Sequence, residues 1–212
     1  MTNTLPATPG DGVDAFLNAH GGPVGEFVRF TKEAKFARVS DGEEVPAGTK
    51  CICVFDQTQH GWIKFNGAGQ PPTRHMGAMF NGYVPPPRSE LGDHDKDQWE
   101  EGLSGQLTDP WKAQVLLPLK ALDGDRLYIF QTSSVTGLRA VASLIGECKQ
   151  MQKKDPTMYP IVELAIGAFE HKNPMIGTVK KPAFKVVGKT SRDGVAPPQI
   201  GTEALLDDDI PF

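Results

Sequence analysis

Apolar and polar residues alternate in short runs along most of this chain, and a period of two predicts strands. Glu26–Phe30 (EFVRF) and Lys35–Val39 (KFARV) are the first two runs, followed by turn signals at Asp41-Gly42 and at Val45–Gly48. Thr49–Asp56 (TKCICVFD) is a mostly apolar run between polar turns, the pattern of a buried strand. In Gly61–Asn66 the alternation places Trp62 and Lys64 on one face and Ile63 and Phe65 on the other. Phe80–Pro87 is irregular. Ala113–Leu119 reads as a strand ended by a proline-containing turn. Arg126–Thr132 (RLYIFQT) alternates so that Arg126, Tyr128 and Phe130 share one face and Leu127 and Ile129 the other. The period then changes. Leu138, Val141, Leu144, Ile145, Cys148 and Met151 recur at helical spacing, with Ser133 or Ser134 placed to cap the start. Lys153 and Lys154 fall in the last turn, where the helix dipole favours cations. Tyr159–Ile166 and Pro182–Lys189 are two more strands, separated by a turn-rich basic stretch from His171 to Lys181.

About eight short strands and one main helix predict a mainly β (α+β) domain over residues 24–190. The strand–strand–helix–strand–strand order from 113 to 189 is compatible with an OB-like small barrel, in which a helix lies between the third and fourth strands. Residues 1–23, rich in Thr, Pro and Gly, read as a flexible arm with at most a turn or two of helix at Val13–Ala19. Residues 191–212 lose the apolar periodicity and read as a flexible tail. Residues 1–23 hold no basic segment followed by an apolar one, and no run of the chain approaches the roughly 20 apolar residues of a spanning helix, so a cytoplasmic protein without membrane contact is expected. Three cysteines do not make a disulfide framework; Cys51 and Cys53 share a strand face and read as small buried residues.

Charge changes the picture only when it is resolved by position. The 212 residues hold 22 Lys+Arg and 26 Asp+Glu, a net of −4, which by itself argues against a partner made of phosphates. Residues 191–212 contain one basic and five acidic residues, so the whole deficit lies there and the preceding body is neutral. Within the body, residues 90–109 carry seven acidic side chains against Lys96, an acidic insertion. Residues 138–190 carry nine basic side chains against four acidic, a basic region suited to a polyanion.

An unpaired nucleic-acid strand is gripped by cations on phosphates and by aromatic rings on bases, each stacked base contributing about 1–3 kcal/mol. Trp62 with Lys64, Tyr128 and Phe130 with Arg126, and Phe169 near Lys172 fit that chemistry, with Lys180, Lys181 and Lys185 as phosphate contacts. Enzyme signals are weak. There is no phosphate-binding G-x-x-x-x-G-K-[ST] loop, no G-x-S-x-G elbow and no H-E-x-x-H pair. The histidines are scattered, no second cysteine pair joins Cys51 and Cys53, and Asp93, His94, Asp95 and Asp97 read as a solvated loop, so no enzyme, metal or cofactor is expected.

The most specific feature is Asp207-Asp208-Asp209-Ile210-Pro211-Phe212. Three carboxylates precede two apolar side chains stiffened by a proline, and the α-carboxylate lies beside an aromatic ring. A pocket for the ring, a cation on the carboxylate and a basic rim would capture it. This hexapeptide resembles the acidic tip of bacterial single-stranded DNA-binding proteins, which in that family follows a flexible linker after an OB-fold and recruits replication, recombination and repair proteins. The resemblance implies Pro211 and Phe212 as pocket anchors, Ile210 as a flanking contact and Asp207, Asp208 and Asp209 as the steering charges. It covers the tip and its linker. The body is similar, in segments such as PPPRSELGD and PAFKVVGK, to proteins carried by phages and prophages. The leading expectation is a phage-type single-stranded DNA-binding protein of the bacterial or infected-cell cytoplasm, with single-stranded DNA and the tip-binding proteins as partners. Self-association into a homo-oligomer is compatible with it. Two other expectations share the tip: a mimic that occupies the host partners' pockets without binding DNA, and a fork-recruited metal-dependent nuclease or recombination enzyme.

A tail of charge −4 beside a basic region would compete with DNA at low salt. Removing residues 207–212 is therefore expected to tighten binding to an unpaired strand at low ionic strength. Unchanged or weaker affinity of the truncated chain in a titration would count against the competition.

Overall fold

The computed structural model describes residues 25–67, 70–101, 105–124, 126–171, 177–193 and 195. The arm 1–23, Lys172 and the tip Asp207–Phe212 lie outside the described residues. Twelve strands are present among those described: β1 (Glu26–Phe30), β2 (Phe36–Arg38), β3 (Glu44–Val45), β4 (Lys50–Cys53), β5 (Gln59–Lys64), β6 (Thr73–Ala78), β7 (Glu100–Glu101), β8 (Leu107–Thr108), β9 (Trp111–Ala121), β10 (Leu127–Thr132), β11 (Met158–Glu170) and β12 (Thr178–Ser191). One α-helix, α1 (Val135–Lys154), stands between β10 and β11. Ten strands form one sheet in the order β12-β11-β4-β9-β10-β1-β2-β3, with β5 and β6 branching from β9. All its pairings are antiparallel except β1 with β10. The result is mainly β, a curled half-barrel with one helix.

The helix begins where the sequence places it. Ser134 accepts a hydrogen bond from the Gly137 amide, which satisfies one of the free N–H groups of the first turn. Gly137 is required for a close approach, because a Cβ there would lie 2.1 Å from Thr132 Oγ1 at the end of β10. Val141, Leu144 and Cys148 form the buried stripe and join the main core with residues of β1, β2, β4, β9, β10 and β11.

Rings close the curl. Phe130 of β10 packs edge-on against Phe36 of β2 at 5.8 Å and against Phe184 of β12 at 5.1 Å. Phe36 and Phe184 are themselves 6.2 Å apart, so strands near opposite ends of the sheet order meet through side chains. This corrects the expectation for β10. Phe130 is 0 % exposed and Tyr128 is buried, so neither is a stacking platform. Leu127 and Ile129 on the other face are buried too, Ile129 packing with Phe27, Val39 and Leu116. β10 is a central strand covered on both sides, and in such a strand alternation carries no information about which face is wet.

Pro118 does not end its strand. β9 runs through it to Ala121, pairing with β5 up to Leu116 and with β4 from Leu119. A residue of an antiparallel strand points its N–H and C=O to the same side. The Pro118 carbonyl accepts from Val54 N, so its missing N–H falls on the side where β9 changes partner. The two last strands are also longer than expected, and β12 continues to Ser191.

The expected tail boundary at 191 shifts accordingly. Arg192 lies over the rings of Tyr159 (4.5 Å) and Phe55 (5.1 Å), and its Nη1 donates to Asp56 at 2.9 Å. Tyr159 donates its hydroxyl to the same carboxylate, and Val195 packs against the core. Cys51 and Cys53 are buried on one strand face as expected, and Cys148 of α1 is buried in the same core. Among the described residues no helix is long and apolar enough to cross a membrane.

Phe130→Ala is expected to cost about 3–5 kcal/mol, read as a lowered urea midpoint, because the cavity would open at the ring junction. Alkali tests the buried acids. Burial pushes the Cys51 thiol up to about 12, and burial with the neighbouring Asp56 pushes the Tyr159 phenol up to about 12. Both are neutral when folded and would ionise earlier in the unfolded chain, near about 8.5 and 10. Their contribution is whole at lower pH and is lost as pH climbs through about 9 to 12. A urea midpoint that stays flat to about pH 11.5 would contradict this.

Candidate nucleic-acid interface

Most of the sequence-derived residues among those described separate into two patches and a buried group. The first patch is the β11–β12 ribbon. β4 accompanies β11 only over Ile161–Glu163, whereas β11 and β12 pair with each other from Met158↔Ser191 to Glu170↔Thr178. Past Leu164 this ladder is a two-stranded ribbon. Its register sets Glu163 opposite Lys185, Ala165 opposite Ala183, Gly167 opposite Lys181 and Phe169 opposite Val179. These pairs share one face. Gly167 leaves room for the Lys181 stem, since a Cβ there would lie 3.2 Å from Lys181 Cε. The stem crosses that gap and sets Nζ 5.8 Å from the centroid of the Phe169 ring, which is 37 % exposed. The opposite face carries Ala168 with Lys180 and Ile166 with Pro182, Ile166 being 43 % exposed.

The register also adds a residue the sequence reading missed. Lys50 of β4 pairs with Glu163, whose other neighbour is Lys185, so two exposed lysines flank one carboxylate across three strands. Nothing local at Lys50 signals this. Only strand order brings residues 50, 163 and 185 into one row.

The second patch lies on β5, β6 and β9. Trp62 pairs with His75 and with Ala113, and Lys64 pairs with Trp111, so Trp62, Lys64, His75 and Trp111 share a face. Trp62 and Lys64 are together, as the alternation implied, but they are roofed. The acidic segment is not a free insertion. It carries short 3-10 turns at Arg88–Glu90 and Lys96–Gln98 and the paired β7 and β8, and it folds over this face. Trp62 Nε1 donates to Pro86 O at 2.8 Å, and Lys64 Nζ donates to both oxygens of Asp93 at 2.8 Å. Trp111 Nε1 donates to Asp93 Oδ2 at 2.9 Å. The Lys64 ammonium holds the Asp93 carboxyl below the usual carboxylate range. Arg88 steadies the roof with two bonds to Asp109, at 2.7 and 2.9 Å, and others to the Gly92 and Asp93 carbonyls.

The remaining candidates are elsewhere. Arg126 is exposed at the start of β10, where its contact with the Tyr128 phenol pushes its pKa up. It belongs to neither patch, and Tyr128 and Phe130 are core. Lys172 falls between β11 and β12 in sequence and outside the described residues. A groove of about 690 Å³ runs between α1 and β12, lined in part by Gly146, Met151, Lys154, Val186 and Lys189. Among the described residues no group of three His, Cys, Asp or Glu side chains is placed to hold a metal ion.

No family model, no curated protein and no solved structure matches this chain.

Proposed function

We propose that this chain binds single-stranded nucleic acid on the β11–β12 ribbon and recruits replication, recombination or repair proteins through Asp207–Phe212. The observation that carries the reading is the exposed Phe169 ring with Lys181 beside it on a lysine-bearing strand. β12 is the last strand in the sheet order, and it holds Lys180, Lys181, Pro182, Lys185 and Lys189. Lysines and a proline on an edge strand oppose pairing with a second sheet. They leave an aromatic platform and cations facing solvent, the two elements an unpaired strand needs. Lys50, Lys181 and Lys185 extend the cationic row along the face that bears Phe169. In this proposal the curled sheet with one helix is an OB-like barrel, the working place is the bacterial or phage-infected cytoplasm, and the chain performs no catalysis. The tip, read from sequence, supplies the recruiting function.

Anisotropy of a labelled oligo-dT at two salt concentrations tests this. Salt-dependent binding is expected. Phe169→Ala should weaken it roughly fivefold to a hundredfold, the loss of one stacked base. Lys181→Ala and Lys185→Ala should each lower the slope of log K against log salt by about 0.7. An oligonucleotide that stays free at both salts, or binds these variants as well as the parent chain, would sink the ribbon reading.

A further inference from the structure

The chain has three tryptophans, and all three donate to one short segment. Trp62 bonds the Pro86 carbonyl, Trp99 the Asp93 carbonyl at 2.9 Å, and Trp111 the Asp93 carboxylate. Asp93 is the hub, since its side chain also receives Lys64 and its carbonyl also receives Arg88. Its φ of +51° lies in the left-handed region that a residue with a Cβ seldom occupies. The segment that delivers it, residues 90–109, has seven acidic side chains and one lysine.

The geometry points to a latent phosphate site on β5, β6 and β9, built from the Lys64 ammonium and the Trp111 indole N–H and occupied in the closed state by the Asp93 carboxylate. The ligand is a backbone phosphate of single-stranded nucleic acid, with a base against the neighbouring rings. The two donors that converge on Asp93 are the groups that bind an anionic oxygen, an ammonium and an N–H. The rings lie next to them: Trp62 is half-buried, and the exposed His75 ring sits 5.3 Å from Trp111. Opening requires only that one side chain leave. Trp62 keeps its bond to Pro86, and Arg88 keeps its two bonds to Asp109. The closed state is therefore a carboxylate competing in cis with a phosphate, and nucleic acid supplied by the ribbon at high local concentration displaces it.

This inference rests on the single-stranded nucleic-acid reading, and the test separates the two. Full-length chain is titrated with labelled oligo-dT while anisotropy and intrinsic tryptophan emission are recorded together. The ribbon carries no tryptophan, so a change in emission reports the roofed patch. Binding should change the emission. Asp93→Asn keeps the shape but removes the charge, and should bind roughly twofold to fivefold tighter at low salt. Asp97→Asn makes the same charge change away from Lys64 and should not match that gain. Adding Lys64→Ala to Asp93→Asn should abolish it. Binding by anisotropy with unchanged tryptophan emission overturns the latent site and leaves the ribbon reading standing. So does a folded Asp93→Asn chain with parental affinity, or a gain that survives Lys64→Ala. Binding by Asp93→Asn alone, insensitive to ribbon variants, supports the latent site and sinks the ribbon. No binding by either chain overturns both.

Discussion

The contact of Phe36, Phe130 and Phe184 is the constraint from which the rest of the architecture follows. Three rings, 5.1 to 6.2 Å apart, join β2, β10 and β12 across the hollow of the sheet. Each such pair adds about 0.5–1.5 kcal/mol beyond the area it buries, comparable to the net worth of a ladder hydrogen bond. Side chains thus do across the hollow what hydrogen bonds do along the sheet, and among the described residues β3 and β12 end the sheet order. The hollow receives the apolar stripe of α1. Because β10 lies at the bottom of the curl, with the second cluster of Phe27, Leu116 and Ile129 behind it, both its faces are dry. The proposed binding surfaces lie where the sheet departs from the curl: the β11–β12 ribbon and the β5–β6 branch.

Electrostatics sorts those two places. At the branch, Lys64 is matched by Asp93 and Arg88 by Asp109, so carboxylates of the acidic segment neutralise both cations. On the ribbon face one carboxylate, Glu163, stands between Lys50 and Lys185, and Lys181 rests on an aromatic ring. A neutral body therefore contains one region whose charge is satisfied internally and one that presents cations outward. Arg192 adds a third arrangement. Its guanidinium is held between two rings and a carboxylate, which makes the first residues after β12 part of the domain. Surface ion pairs contribute little to stability on their own. Their consequence here is positional: they decide which cations an outside anion can reach.

Much of the secondary structure is legible in the residues. The strands at Glu26–Phe30 and Phe36–Arg38 and the helix at Val135–Lys154 follow the predicted periods, and Ser134 supplies the cap. Trp62 and Lys64 share a face as alternation requires, and Cys51 and Cys53 are buried together. The misses have a common origin. Pro118 looks like a terminator until β9 is seen to exchange β5 for β4 at that point. Tyr128 and Phe130 look like platforms beside Arg126 until Phe36 and Phe184 cover Phe130 and the main core takes in Tyr128. Arg192 looks like the start of a tail until Asp56, 136 positions earlier, receives it. In each case the deciding partner is distant in sequence.

By itself, then, the sequence determined the periods, the cap, the separation of charge along the chain and the tip that resembles a recruiting peptide, because each depends on residues within a few positions of one another. Tertiary structure decided which face of each strand is dry, which lysines are already paired, and that Lys50 joins the ribbon row. Alternation defines two faces of a strand but not which one is covered. The choice belongs to strand order and register, and those are set by contacts between residues that the chain keeps far apart.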